Sequence, residues 1–433
     1  MKIIIIGAGL GGLAAAVRLS MLAHEVVVVE KHPALSPRGG SLSTRPGASR
    51  ILAAWGLQAD MDEIANRTEG IFMRSLATGR VMTTSSSSSS SLRPPHWGTT
   101  REELIRLFYD KAVQHGASIR FGCSVTEVHD EAGQDAWIKL ADGECLAASM
   151  ILAADGIRSR TRAAVLADLV QPEAMQPLVS DITGYGFKLQ ASVLRESGDA
   201  AALVENVSSN VWMGGPDNVF AVSRYSPKSE SVAVLCHTVD AARNSEQDSL
   251  WDDKGDLAYL RAAFRGASGA ITGALEMAES CDRWRLAELP SLPRWTSSAG
   301  RIVLLGDSAH AMHPSAGQGF SQIVEDIEVL AELISRSSSI ASSPPAGKLG
   351  TDAVAAVTRA WQGIRKPRVE KIQEYSRWST AQVSRRVSRP GPADSQSAQV
   401  LQGGDEEFRD PTFIQWTLDY DVKEEVDLLL ELA

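Results

Sequence analysis

The chain has 433 residues, 44% hydrophobic and 22% charged, with a net charge of −10 at pH 7. That length suffices for two or three domains of ordinary globular composition. The acidic balance weighs against a nucleic-acid partner, and no apolar run approaches the ~20 residues of a membrane span.

The first thirty residues form one unit. Ile3 to Ile6 have the β-branched composition of a buried parallel strand. Gly7, Gly9 and Gly12 follow in G-x-G-x-x-G spacing. Leu10, Leu13, Ala14, Val17 and Met21 then recur at helical spacing, and the strand Val26 to Val29 ends on Glu30. Gly7 allows a tight turn, Gly9 lets a pyrophosphate approach the backbone, and Gly12 lets helix and strand pack closely. The helix N-terminus suits phosphates, and Glu30 suits ribose hydroxyls. The unit specifies an ADP group without choosing between FAD and NAD. Because the apolar run starts at Met1-Lys2, no cleavable signal peptide is expected.

Lys31 to Ser41, with Arg38, Gly39 and Gly40, reads as a loop, and Pro46 to Trp55 as a helix. Gly70 to Arg74 and Gly79 to Met82 read as strands about a turn. Ser85 to Ser91 is a low-complexity, solvated loop. Thr99 or Thr100 caps a helix with an acid three residues on. Arg101 opens that helix, where a cation opposes the helix dipole, which reads either as a ligand contact or as a plain surface arginine. Short strands follow at Ser118 to Phe121, Ser124 to Asp130, Ala136 to Ala141 and Glu144 to Ala147. Met150 to Arg162 reads as a buried strand running into a turn and a helix, with Asp155-Gly156 at the strand's C-terminal end.

From Ile182 to Val239 the pattern turns to β, with strands at Tyr185 to Leu194, Asn210 to Met213, Val219 to Tyr225 and Ser231 to Val239. Leu257 to Phe264 and Ala270 to Glu279 read as helices. Arg301 to Leu305 is a third buried strand, ending on Gly306-Asp307. A long loop, Ser308 to Gly319, precedes a helix from Phe320 to Ile334. Residues 335–350 read as a surface linker, Arg365 to Trp378 as a helix and 385–411 as a mobile polar segment. Val422 to Leu432 carries leucines at helical spacing, fit to dock on the core or form an interface. Cys123, Cys145, Cys236 and Cys281 are scattered, as reduced cytoplasmic thiols would be. His310 and His313 have ligand-compatible spacing, but no acid or third histidine completes a set, so no metal is expected.

Three strand ends, each with glycine or aspartate, come to one edge of a parallel sheet. In that order they resemble the flavin-dependent aromatic hydroxylases, the group A monooxygenases that include p-hydroxybenzoate and salicylate hydroxylases. The likeness runs from residue 2 to about residue 377. The second motif, G-A-D-G-x-x-S-x-x-R, is matched by Ala154, Asp155, Gly156, Ser159 and Arg162, with Ala153 for its first glycine. The third, G-D-A-A-H-x-x-x-P-x-x-x-Q-G, is matched by Gly306, Asp307, Ala309, His310, Pro314, Gln318 and Gly319, with Ser308 for one alanine. Arg101 matches an FAD-contacting arginine. Arg365, Pro367, Arg368, Gln373 and Ser376 match a C-terminal helix pattern.

The resemblance implies an α/β (α+β overall) fold: a Rossmann-like FAD-binding domain with an inserted β-sheet substrate domain and C-terminal helices. The expected FAD-binding domain comprises 1–68, 92–180 and 295–365, the substrate sheet 69–91 and 181–294, and the C-terminal helices 366–433. It implies FAD contacts at Gly7, Gly9, Leu10, Gly12, Glu30, Lys31, Arg38, Gly40, Arg101, Val125, Asp155, Gly156, Asp307, Pro314, Gly317, Gln318 and Gly319. A buried Asp307 would need ribityl hydroxyls as donors, and the helix after Gly319 would aim its dipole at the flavin ring. His310 is structural in that family.

The implied activity is hydroxylation of an aromatic, secondary-metabolite-type substrate, using NAD(P)H and O₂ through a flavin C4a-hydroperoxide. Alternatives are epoxidation of an indole or alkene, a non-redox protein on the GDP-dissociation-inhibitor scaffold, or an NAD-dependent dehydrogenase. The third motif argues against the second, and the lack of a second glycine-rich unit against the third. The family's arginine anchor is missing from Thr183 to Leu189, which points to an apolar or indole-like substrate. Tyr185, Trp212, Tyr225 and His237 are the pocket candidates, each read equally well as ordinary sheet packing; no catalytic base is assigned, and a monomer or homodimer is expected.

Overall fold

The computed structural model describes all residues except 37–39, 69, 87–95, 170, 215–218, 240–249, 253, 341–350, 388–405 and 433. A five-stranded parallel sheet runs in the order Ile302–Leu304, Met150–Ala153, Lys2–Ile6, Glu25–Val29, Ser118–Arg120. Ile3, Ile4 and Ile5 are fully buried, each contributing about 1.5–3 kcal/mol of apolar burial. In register, Ile6 lies beside Ala153 and Val29, and Ala153 beside Leu304. The residues that follow these strands therefore share one edge.

An antiparallel meander, Val125–His129, Ala136–Leu140 and Cys145–Ala148, stands beside that sheet. A second large sheet has eight strands. Its middle is Asp282–Glu288, Leu178–Gln190, Ser231–Val239, Val219–Ser226 and Ser209–Met213. The hairpin Gly70–Ser75 and Val81–Ser86 extends it by parallel pairing with Ser209–Met213. The hairpin takes in Ser85 and Ser86, and the rest of the serine run, 87–91, lies outside the described residues.

One face of the eight-stranded sheet packs under the helices Leu257–Ala263 and Gly269–Met277. The other face turns toward the parallel-sheet half. Arg224 there donates to Leu42 O and Ser43 Oγ, and Lys188 pairs with Glu102 at 3.6 Å.

Several elements depart from the sequence reading. The strand expected to reach Leu194 stops at Gln190, and Ala191–Arg195 is helical. Ala191 and Leu194 are buried three residues apart, a helical rather than an alternating pattern. The long loop after Asp307 contains two turns, Asp307–His310 and Pro314–Ala316. The helix that follows runs from Gly319 to Ile340, into the serine-rich stretch. Ser335 Oγ there satisfies its hydroxyl on Ala331 O. The next helix, Thr351–Val387, is far longer than read and carries Pro367 inside it. Most of the segment expected to be mobile lies outside the described residues, but Pro411–Leu418 is a helix. The tail helix Val422–Leu432 docks on the core through fully buried Val426. No helix among the described residues is long and apolar enough to cross a membrane.

Candidate active site

The three strand ends line one cleft of roughly 660 Å³. At the first, Gly7 has φ +102°, and a Cβ there would lie 2.6 Å from Ala154 O. A Cβ on Gly12 would lie 1.9 Å from Gly7 O, so strand and helix are in contact at this point. Gly9 has nothing within 4 Å of a Cβ and presents bare backbone to the cleft. Its position is the N-cap of the helix Leu10–Met21, where N–H groups lack intrahelical partners. Glu30 braces the loop, accepting from Ala8 N at 2.8 Å and His32 N at 2.9 Å, and its carboxylate keeps lone pairs for further donors.

At the second strand end, Asp155 Oδ2 accepts from the backbone N–H groups of Arg160 and Thr161 and from the Thr161 hydroxyl. Its Oδ1 is buried and has no partner. A buried carboxylate oxygen lining a cleft is costly unless a donor reaches it, and a polyhydroxylated ligand brings such donors. Arg162 donates to Ser308 O at 2.9 Å and Ile157 O at 2.6 Å, joining the second motif to the third. Burial lowers its pKa, against the pull of Asp155.

At the third, Gly306 adopts φ +64° and Asp307 lines the cleft, half-buried rather than buried. Ser308, the departure from alanine, has its own role: its hydroxyl donates to Ala153 O at 2.6 Å and accepts from Leu305 N. His310 is structural. Its Nε2 lies 2.7 Å from Asp326 Oδ2, both groups buried, and Asp326 also accepts from Arg365 Nε at 2.8 Å. Burial pushes the Asp326 pKa up, but the charges of His310 and Arg365 more than offset this and hold it low. Arg365 and Arg368 share Glu325, at 3.0 Å each. No cluster of three or more metal-ligating side chains occurs among the described residues.

The stretch His313–Gly319 is held from behind. Ser376 Oγ donates to His313 O, Gln373 Nε2 to Ala311 O, and Gln318 Nε2 to Thr417 O. The Gln318 side chain thus faces the C-terminal helices rather than the cleft. Gly317 is left-handed, φ +60°, and Arg45 donates to Ala316 O at 2.6 Å and Gly317 O at 3.1 Å. The helix Gly319–Ile340 starts here and carries Ile323 to the cleft wall.

Of the expected cofactor contacts, Gly7, Gly9, Leu10, Glu30, Lys31, Arg101, Val125, Asp155, Gly156 and Asp307 line this cleft. Gly12 lies behind it, touching Gly7. Gly40 stands off the cleft, its carbonyl accepting from Arg101 N, and Arg38 lies outside the described residues. Pro314, Gly317 and Gly319 form the stretch beyond Asp307, outside the cleft lining.

The pocket candidates divide by sheet face. Tyr185, Trp212 and Tyr225 sit in the core under the helices, so they do not face the cofactor side. Trp212 Nε1 bonds Ser223 Oγ, and the Tyr225 hydroxyl lies between Arg195 and Glu230. His237 alone of the four is on the opposite face, stacked on Phe220 at 4.2 Å. Burial lowers its pKa to about 3, and its Nδ1 is buried without a partner. Two residues of this region went unread in the sequence, Arg45 and Arg224. Arg45 had a signal, since it is the N-cap of Pro46–Ala54, an electrostatically poor place for a cation.

A glycine loop, a helix N-terminus and two further strand ends around one cleft define a dinucleotide-binding α/β protein. The chain belongs to the FAD binding domain family, which matches residues 1–338. It is 28% identical over 380 residues to FAD-dependent monooxygenase OpS4 of Beauveria bassiana (strain ARSEF 2860), covering 87% of this chain and 84% of that protein. It is 26% identical to salicylate hydroxylase of Pseudomonas putida over 393 residues, 88% of this chain and 86% of that one. Among solved structures, a salicylate hydroxylase substrate complex has TM-score 0.77 at 20% identity, covering 99% of this chain and 98% of that chain. FqzB has TM-score 0.76 at 23% identity, covering 100% of this chain and 93% of that chain. The fold is that of the FAD-dependent hydroxylases, and the relatives are FAD-dependent monooxygenases.

Proposed function

We propose that the protein is an FAD-dependent monooxygenase that uses NAD(P)H and O₂ to hydroxylate an aromatic substrate. The observation that carries this reading is the convergence of Gly7 with Gly9, Asp155–Gly156 and Gly306–Asp307 on one cleft. The bare Gly9 backbone and the N-terminus of Leu10–Met21 would take the pyrophosphate. Glu30 would accept from ribose hydroxyls, and Asp155 Oδ1 and Asp307 from the hydroxyls of the ribityl half. When bound, FAD supplies hydride acceptance and oxygen activation, chemistry that no side chain of this protein offers.

The chain's own contribution is placement and exclusion of water. Pro314 stiffens the stretch before the helix Gly319–Ile340, whose N-terminal dipole favours negative charge on a ring lying against it. The long helix and the C-terminal segment hold this stretch in place through Ser376, Gln373 and Thr417. Relatives named as monooxygenases of hydroxybenzoate and hydroxynicotinate type support an aromatic substrate. The test is the visible spectrum of the purified protein, followed by NAD(P)H oxidation across an aromatic panel. Flavin bands and substrate-stimulated oxidation with ¹⁸O₂ incorporation are expected; a colourless protein that FAD does not reconstitute would sink the reading.

A further inference from the structure

One register of the eight-stranded sheet places Met73, Val211, Val222, Leu235 and Gly186 side by side on five neighbouring strands. Successive residues of a strand face opposite sides. The alternate residues Trp212, Ala221, Val234 and Cys236 belong to the helix-covered core and are buried, so the row points to the cofactor half. All five of its residues are half-buried, open to water on that side. At ~4.8 Å per strand the row is about 19 Å long, and it is apolar throughout. Its neighbours beyond each end, Thr83 and Asp282, are exposed and polar.

The borders of the row are built. Along one side, Phe220 and His237 are buried and stacked at 4.2 Å. Along the other, Arg224 is turned to protein groups, donating to Leu42 O and Ser43 Oγ. Two residues further on, Arg45 donates to Ala316 O and Gly317 O, so the row adjoins the stretch that leads into the helix Gly319–Ile340. The Gly186 end is closed by the indole of Trp284. A Cβ on Gly186 would lie 2.9 Å from its Cη2 and Cζ3, and one on Gly184 would lie 2.8 Å from its Cε2. Glycine at both positions lets the indole lie flat on the strand, and Trp251 stacks on it at 5.2 Å.

Aliphatic side chains left in contact with water gain free energy when an apolar group covers them. The occupant follows from where the row lies. It runs beside the stretch against which the flavin ring would rest, so it would meet the part of the substrate remote from the reacting ring. Its length far exceeds one aromatic ring. We propose that this row is a lipophilic subsite, and that the substrate is an aromatic ring carrying an apolar extension of several carbons. The ring sits towards Ala316–Gly317, and the extension lies along Val222 and Leu235. This rests on the monooxygenase reading of the neighbouring cleft and specifies its substrate.

The test titrates the holoenzyme with 4-methyl-, 4-propyl-, 4-pentyl- and 4-heptylphenol. Binding is read from flavin difference spectra and, independently of flavin, from thermal shifts. Each buried methylene should tighten binding about threefold, so the heptyl compound should bind at least a hundredfold more tightly than the methyl one. Val222→Thr, a near-isosteric change that suits a strand, and Leu235→Gln put polar atoms on the row. Each should cut the heptyl-over-methyl ratio about fivefold or more and leave 4-methylphenol within about twofold. Met82→Gln, exposed and outside the row, should leave the ratio unchanged. Affinity that does not grow with chain length overturns the subsite. Growth that both row variants leave intact also overturns it, since the extension then lies elsewhere. So does a flat series in which the variants shift the sedimentation coefficient, which would assign the row to a second copy of the chain. A protein that holds no flavin defeats the monooxygenase reading separately, because the thermal shifts still read the series.

Discussion

The edge of the parallel sheet and the face of the eight-stranded sheet are built on different principles. The edge presents backbone: Gly7, Gly9, Gly306 and the carboxylates that brace the turns between them. Its geometry is demanded by glycine conformations and close contacts, so short motifs specify it. The face presents side chains whose direction depends on register. Tyr185 and Gly184 are neighbours in sequence, yet Tyr185 enters the helix-covered core while Trp284 lies over Gly184 on the other side. A motif thus identifies the cofactor half, whereas the substrate half is known only once strands are paired.

The largest effect should come from the network behind the edge. Arg365→Met leaves Asp326 and Glu325 short of their shared cation, and a loss of about 3–5 kcal/mol of unfolding free energy is expected in denaturant titration. A loss below about 1 kcal/mol would mean that the network is not a support of the edge. Next is Gly12→Ala. Its Cβ meets Gly7 O, so helix and strand must separate, at about 1–3 kcal/mol, and flavin retention on gel filtration should fall with stability.

A smaller effect tests the sheet face. Tyr225→Phe removes one hydroxyl behind the sheet and should cost about 0.5–1.5 kcal/mol while leaving kcat/KM unchanged. A tenfold fall in kcat/KM at unchanged stability would put Tyr225 on the cofactor side and break the comparison.

The last effect is a pH slope rather than a single loss. His237 is buried neutral, with its pKa lowered to about 3 from 6.5. Between those values the unfolded chain binds a proton that the folded chain does not, so stability falls as pH drops below 6.5. One such proton is worth about 1.4 kcal/mol per pH unit. His237→Asn should flatten the acid limb of a stability–pH curve by up to that slope between pH 6 and 4. An unchanged slope would mean that His237 takes up its proton in the folded state.

Much of the cofactor half was legible in the sequence because each element there is local. Four isoleucines before a glycine spacing form a strand and turn, and Thr100 with Glu103 forms the capping box that opens the Arg101 helix. Ten of the expected contacts line one cleft for that reason. The failures are of another kind. The helix Ala191–Arg195 was read as strand because five residues carry too little periodicity to resist a neighbouring β pattern. The helix Gly319–Ile340 was cut short because serines are weak helix formers that tertiary packing can override.

By itself, the sequence determined the dinucleotide unit and the order of three strand ends. Tertiary structure decided which face each aromatic of the large sheet takes, and that Arg224 reaches back across the chain to Leu42 O and Ser43 Oγ. The physical reason is range. Backbone turns and caps are settled within a few residues, whereas the side a strand residue faces and the charge beside it follow from pairing between distant segments.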